Sequence, residues 1–177
     1  MGMLNEWRAS RERRRLSATY LDALLQSPSP SDVDWLAQLA GNAGTASREL
    51  MFARRAIGLI VAERDALDDR TASDVAHQLA EVVARESREA PERGRKWAER
   101  WRAYTGALAV RGDSDAPAAR LARVLLAGAG VESPPADAVA RATQYVSSTR
   151  AQANEALRAV FGVASLPEDV RPSAMRL

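Results

Sequence analysis

The chain has 177 residues, enough for one domain with a continuous core. One histidine, one lysine and no cysteine exclude a disulfide frame and Cys-ligated zinc, and leave few of the residues that most often carry nucleophilic and acid–base chemistry. A formal net charge of +2 is too small to mark a nucleic-acid binder by itself.

The pattern predicts about seven helices and no strand. The first covers residues 4–26 and stops at Ser27-Pro28-Ser29-Pro30, because proline disfavours helix at the residue before it. Its first half is Arg-rich, and its second carries the stripe Leu16, Tyr20 and Leu24. Met1-Gly2 reads as a cloning remnant ahead of a native Met3. Ser31 or Asp32 is the expected cap of a short helix through Ala40, broken by Gly41-Asn42-Ala43-Gly44. The helix over 45–67 has Leu50, Ala53, Ile57, Ile60 and Val61 on one face and Phe52 and Leu59 on the other. A helix apolar on two sides is usually central, so this one is the expected hub. Thr71 or Ser73 is the expected cap of the next, whose stripe is Val75, Leu79 and Val82.

Residues 92–110 carry Trp97, Trp101, Tyr104 and Leu108, spaced four, three and four apart on one narrow arc. Asp115 is the expected cap of a short helix with Pro117 in its first turn, ended by Gly128-Ala129-Gly130. Ser133-Pro134-Pro135 opens the last helix, which runs to Phe161 with the stripe Val139, Thr143, Val146, Ala153 and Leu157. Residues 163–177 read as an irregular tail. The fold class is therefore all-α: a single-domain bundle over 1–177 around the central apolar helix 45–67. Most connections are short, so sequential helices should be antiparallel neighbours.

Several constellations invite a functional reading. Asp74-x-x-His77 has the spacing of a helical carboxylate–metal motif, but a di-iron bundle needs two such motifs and this chain has one histidine. The expected reading is a surface histidine, with no metal site and no cofactor. Gly41-x-x-Gly44-Thr45 lacks the Gly-Lys-Ser/Thr of a P-loop and reads as a C-cap followed by an N-cap. Residues 36–50 resemble a helix-turn-helix in the spacing of Ala37 and Gly41. Asn42 and Ser47 fall where that motif wants apolar residues, and its second helix would be apolar on two sides. Arg111-Gly112-Asp113 reads as a chance loop tripeptide.

Two sets remain as candidate sites. Arg11, Arg14 and Arg15 could neutralise phosphates or form an ordinary solvated face. Trp97 and Trp101, with Arg100, could anchor an interface or belong to the core. Glu86 continues the Val75/Leu79/Val82 stripe, and Arg150 lies between Val146 and Ala153/Leu157. A buried lone charge costs several kcal/mol, so the two are expected to pair, or Arg150 to grip an acidic ligand in a cleft.

Hydrophobic content is 46% and aromatic content only 5%, with alanine supplying much of the apolar share. Alanine favours helix but buries little area. Either helices pack closely through small residues or a second subunit finishes the core. Charge is also segregated: residues 63–92 are acid-rich and 93–111 basic, which would be self-complementary across a two-fold axis. The leading expectation is a non-enzymatic, cytoplasmic helical assembly module that forms a homodimer. A nucleic-acid-associated regulator is the first alternative. A helical small-ligand binder or enzyme with a carboxylate/Arg cleft is the second. The longest apolar run, residues 56–62, is too short for a membrane span.

Overall fold

The computed structural model describes residues 2–65, 69–109 and 115–162. Among these the chain forms seven helices: α1 (Gly2–Leu25), α2 (Pro30–Ala40), α3 (Ala43–Asp65), α4 (Asp69–Glu89), α5 (Pro91–Ala109), α6 (Pro117–Gly128) and α7 (Ala136–Phe161). No strand occurs among the described residues. Leu67, Val110, the Arg111-Gly112-Asp113 tripeptide and the tail over 163–177 lie outside them.

Proline and glycine set most of the boundaries, and Pro30 and Pro117 displace two of the three expected caps that fail. Pro30 opens α2, so the cap is Ser29 rather than Ser31 or Asp32. The Asp32 amide donates to Ser29 Oγ at 3.2 Å, and that hydroxyl donates to the Asp32 carboxylate at 2.6 Å, a reciprocal box across one turn. Gly41, at φ 69°, closes α2 through its amide on the Ala37 carbonyl at 2.8 Å. The next residue starts α3: Asn42 Oδ1 accepts the Thr45 amide at 2.8 Å, two residues ahead of the expected start at Thr45.

In α4 neither Thr71 nor Ser73 is a cap, because the helix has already begun at Asp69. Thr71 is buried and extends the Val75/Leu79 stripe by one turn. Asp115 does not cap α6 either. Pro117 takes the first helical position behind Ala116, and Asp115 instead holds Arg120 through its carbonyl and Arg123 through its carboxylate. The other end of α6 closes as expected, with Gly130 at φ 88° and the Val131 amide on the Leu126 carbonyl at 2.9 Å.

Helix α3 is the hub: it contacts every other helix. Its inner surface alternates fully buried alanines (Ala46, Ala53, Ala56, Ala62) with Leu50, Ile57 and Val61, while Phe52 and Leu59 are buried on the opposite side. Alanine permits the close approach that surrounds one helix with six others. Gly58 carries this furthest. A Cβ there would stand 2.3 Å from a Leu24 methyl, and the Gly58 carbonyl accepts the buried Tyr20 hydroxyl at 2.8 Å. The contact welds α1 to the hub.

Two buried ion pairs tie the hub to its neighbours. Arg55 of α3 holds Glu86 of α4 with two bonds, 2.9 and 2.7 Å. Glu49 of α3 accepts Arg100 Nε of α5 at 2.6 Å, and Arg100 Nη2 reaches the Gly128 carbonyl of α6 at 3.0 Å. A Cβ on Gly128 would come within 2.5 Å of the Glu49 carboxylate, so glycine is needed there for the pair to close. The Arg55 bonds, ahead of the opposing effect of burial, hold Glu86 below the ordinary carboxylate range. At Glu49 burial dominates over the pull of Arg100, and its pKa is raised.

Candidate functional site

Between α3, α5, α6 and α7 the packing leaves an open groove of about 370 Å³. Its floor is Ile57 and Val61 of α3, Leu121 of α6 and Val146 of α7, all buried, with Ile60 and Leu108 at the sides. The groove exists because the residues at its mouth are small. Ala118 stands in the first turn of α6 and Ala151 on the outer face of α7, where larger side chains would close the gap.

Polar groups are few and of one electrical sense. Arg64, in the last turn of α3, and Arg150, on α7, both line the groove and both are exposed. Among the described residues no carboxylate lines it. The first turn of α6 contributes Pro117 and Ala118, adding the positive end of that helix dipole to the two guanidinium groups. Asn154 also lines the groove, and its Oδ1 is buried without a hydrogen-bond partner. A buried acceptor left unmade costs about 1–3 kcal/mol. The lining holds one hydroxyl, Ser147, with neither a carboxylate nor an imidazole to activate it. The arrangement is suited to holding a molecule with an apolar body and an anionic end.

The structure redistributes the residues singled out from the sequence. Glu86 does have a buried partner, but it is Arg55 and not Arg150. On α7 the core stripe runs Ala138, Ala142, Val146, Thr149, Ala153, Leu157, so Thr149 takes the inward position next to Arg150. Arg150 is thereby turned out to the groove. Trp97 and Trp101 are half-buried: the Trp97 ring lies 5.9 Å from Phe52 and 6.1 Å from Trp101, and Tyr104 completes the stripe fully buried. Arg100, bound to Glu49 and Gly128, is an internal tie. Of the two readings of this face, interface or core, the packing favours the core.

Arg11, Arg14 and Arg15 are exposed on α1. Arg15 pairs with Glu12 at 2.8 Å, and the Arg11 guanidinium lies 5.4 Å from the centre of the Trp7 ring. The Arg14 carbonyl accepts Gln78 Nε2, which docks this stretch on α4. His77 is exposed and stands 3.4 Å from Glu81, while Asp74 faces Arg13 at 3.8 Å. Among the described residues no three His, Asp or Glu side chains converge on a metal-sized site. The Gly41–Thr45 segment is the C-cap and N-cap pair described above, and the second helix of the helix-turn-helix resemblance is the buried hub itself. Among the described residues no helix is long and apolar enough to cross a membrane.

The groove was only partly legible beforehand. Arg150 stood out in the sequence, but Arg64 and Asn154 did not, because nothing local shows that four helices converge there. Glu49 and Arg55 did carry a signal: Arg55 falls three residues after Phe52 and four before Leu59 on an apolar face. No family model, curated protein or solved structure matches this chain.

Proposed function

We propose that this protein is a binding module for a small amphipathic anion, held in the groove between α3, α5, α6 and α7. The observation that carries the reading is the groove's composition: a buried apolar floor, two arginines at the rim and, among the described residues, no lining carboxylate. Its volume of about 370 Å³ lies within the usual span of about 300–1,000 Å³ for small-molecule sites. The ligand's apolar body lies on Ile57, Val61, Leu121 and Val146. Its anionic end meets Arg64 and Arg150.

The test is titration with a medium-chain carboxylate such as decanoate, against decanol as the uncharged control, followed by calorimetry. Saturable binding of one equivalent is expected, with Arg150→Gln weakening decanoate and leaving decanol unchanged. Ala151→Trp, which fills the groove from its outer edge, should abolish both. Binding that survives Ala151→Trp would place the ligand elsewhere and refute the reading.

Self-association remains a second reading with one observation in its favour. Trp7 is 59% exposed, an unusual position for a large apolar ring, and it lies beside the exposed arginines of α1. Light scattering on the wild type and on Trp7→Ala tests it: a dimer mass lost on substitution supports assembly through α1, and a monomer in both removes it. A co-eluting absorbance at nucleic-acid wavelengths that high salt strips away would favour nucleic-acid association through the same arginines.

A further inference from the structure

Helix α7 bounds a second cavity on its other flank, and its chemistry is the reverse of the groove's. This cavity measures about 560 Å³ and lies between the α1–α2 connection, the start of α2, α3 and α7. Its walls carry two guanidinium groups (Arg54 and Arg141), the hydroxyls of Tyr145, Ser148 and Thr149, and the amides of Gln144 and Gln152. One carboxylate lines it, Asp32, and that group accepts the Ser29 hydroxyl at 2.6 Å.

The cavity is organised in advance. Arg141 lies 5.0 Å over the Trp35 ring, a cation–π contact that favours this placement of the guanidinium. Tyr145 OH donates to the Leu50 carbonyl at 3.2 Å, anchoring the aromatic wall to the hub. Arg141 is one turn before Tyr145 on α7, and Arg54 of α3 lines the same cavity, so both cations face one space. Among the described residues neither arginine has a carboxylate within ion-pair distance. Arg54 is half-buried and Arg141 exposed, whereas the half-buried or buried Arg55, Arg100 and Arg120 are each spent on a bond within the fold. Neither Arg54 nor Arg141 is spent on such a bond among the described residues.

We infer that this cavity binds the phosphate monoester of a polyhydroxylated small molecule, with Arg54 and Arg141 on the phosphate and Gln144, Ser148 and Gln152 on the hydroxyls. Two guanidinium forks ask for more acceptors than a carboxylate has. A terminal phosphate offers three oxygens and up to two charges, enough for both forks. The amides and hydroxyls along α7 are donors and acceptors at once, which suits sugar hydroxyls and not an apolar body.

The experiment titrates the full chain with ribose 5-phosphate, inorganic phosphate and ribose, by calorimetry at moderate salt. Ribose 5-phosphate should bind roughly tenfold tighter than inorganic phosphate, and ribose alone should give no saturable heat. Arg54→Gln and Arg141→Gln should each cost roughly tenfold in affinity. Arg54→Gln is the cleaner probe, since Arg141 also packs on Trp35, and circular dichroism checks that each variant is folded. Ala151→Trp, which fills the groove on the other face of α7, should leave this binding unchanged, so this site and the groove are tested separately. Inorganic phosphate binding as tightly as the ester would remove the polyol from the inference. Loss of neither arginine mattering, or no saturable binding of the ester, would overturn it.

Discussion

The Arg55–Glu86 pair makes a sharp prediction because its geometry leaves no substitute partner. The Arg55 side chain is 3% exposed and Glu86 26%. Arg55 Nε is buried without a partner, so both of the guanidinium's hydrogen bonds go to this one carboxylate. Glu86→Leu therefore strands a buried cation and should cost about 3 kcal/mol, the lower end for breaking a buried pair because Glu86 keeps some contact with water. Arg55→Met leaves the better-hydrated partner and should cost about 1 kcal/mol, and the double variant, with both charges gone, about 1 kcal/mol as well. The coupling energy is then about 3 kcal/mol, at the top of the range for residues in direct contact. Urea denaturation followed by circular dichroism at neutral pH measures the cycle. The pH dependence has a fixed sign. Glu86 titrates below its ordinary value of 4.5 in the fold, so its contribution is complete above that value and is lost as pH falls through the folded pKa. The cost of Glu86→Leu should shrink accordingly on acidification below 4.5. A coupling under about 0.5 kcal/mol, or a cost indifferent to acid, would refute this account. Glu86→Leu and Arg150→Met should simply add.

Glu49 should behave oppositely. Burial raises its folded pKa above 4.5, so its contribution is present below the unfolded value and declines as pH rises through the folded one; the stability of Glu49→Gln relative to wild type should therefore increase over that same rise. Gly58→Ala drives a Cβ to 2.3 Å from a Leu24 methyl and should cost about 1–3 kcal/mol by overpacking, read from the urea midpoint. Gly41→Ala meets no atom within 4 Å, so its cost of about 1 kcal/mol should come from the left-handed backbone alone, and Gly41→Asn should recover part of it. Equal costs for Gly41→Ala and Gly41→Asn would argue against backbone strain.

Helix identity and the hub were legible because the relevant information is local. An apolar face on both sides of residues 45–67 predicts burial whatever the neighbours are. The caps failed where a strong local signal outranked a weaker one: Pro30 and Pro117 each set a first helical position, leaving Ser31, Asp32 and Asp115 in the wrong register. Glu86 was correctly marked as a charge on a core stripe, but its partner sits 31 residues away on the hub, and a choice between Arg55 and Arg150 depends on how helices face one another. The stripe on α7 was displaced by one residue at three places: Ala138, Ala142 and Thr149 are buried, where Val139, Thr143 and Arg150 stood in the expected stripe, because small or polar residues were passed over as core positions.

The same alanine-rich composition that posed two alternatives has, in the folded chain, a third consequence. Small residues on the inner faces of α3 and α7 let six helices approach the hub, and the core closes within one chain along most of its length. Small residues on the outer side, Ala118 in the first turn of α6 and Ala151 midway along α7, do the opposite and line a groove above Ile57, Val61, Leu121 and Val146. A missing side chain is thus a packing device in the middle of the bundle and an opening at its edge. Position relative to the hub decides which. The chain carries exposed arginines at that opening, where an apolar cap would have stabilised the fold more simply. That choice of side chain, set against a floor already apolar, is why the groove reads as a place for an anionic guest and not as a packing defect.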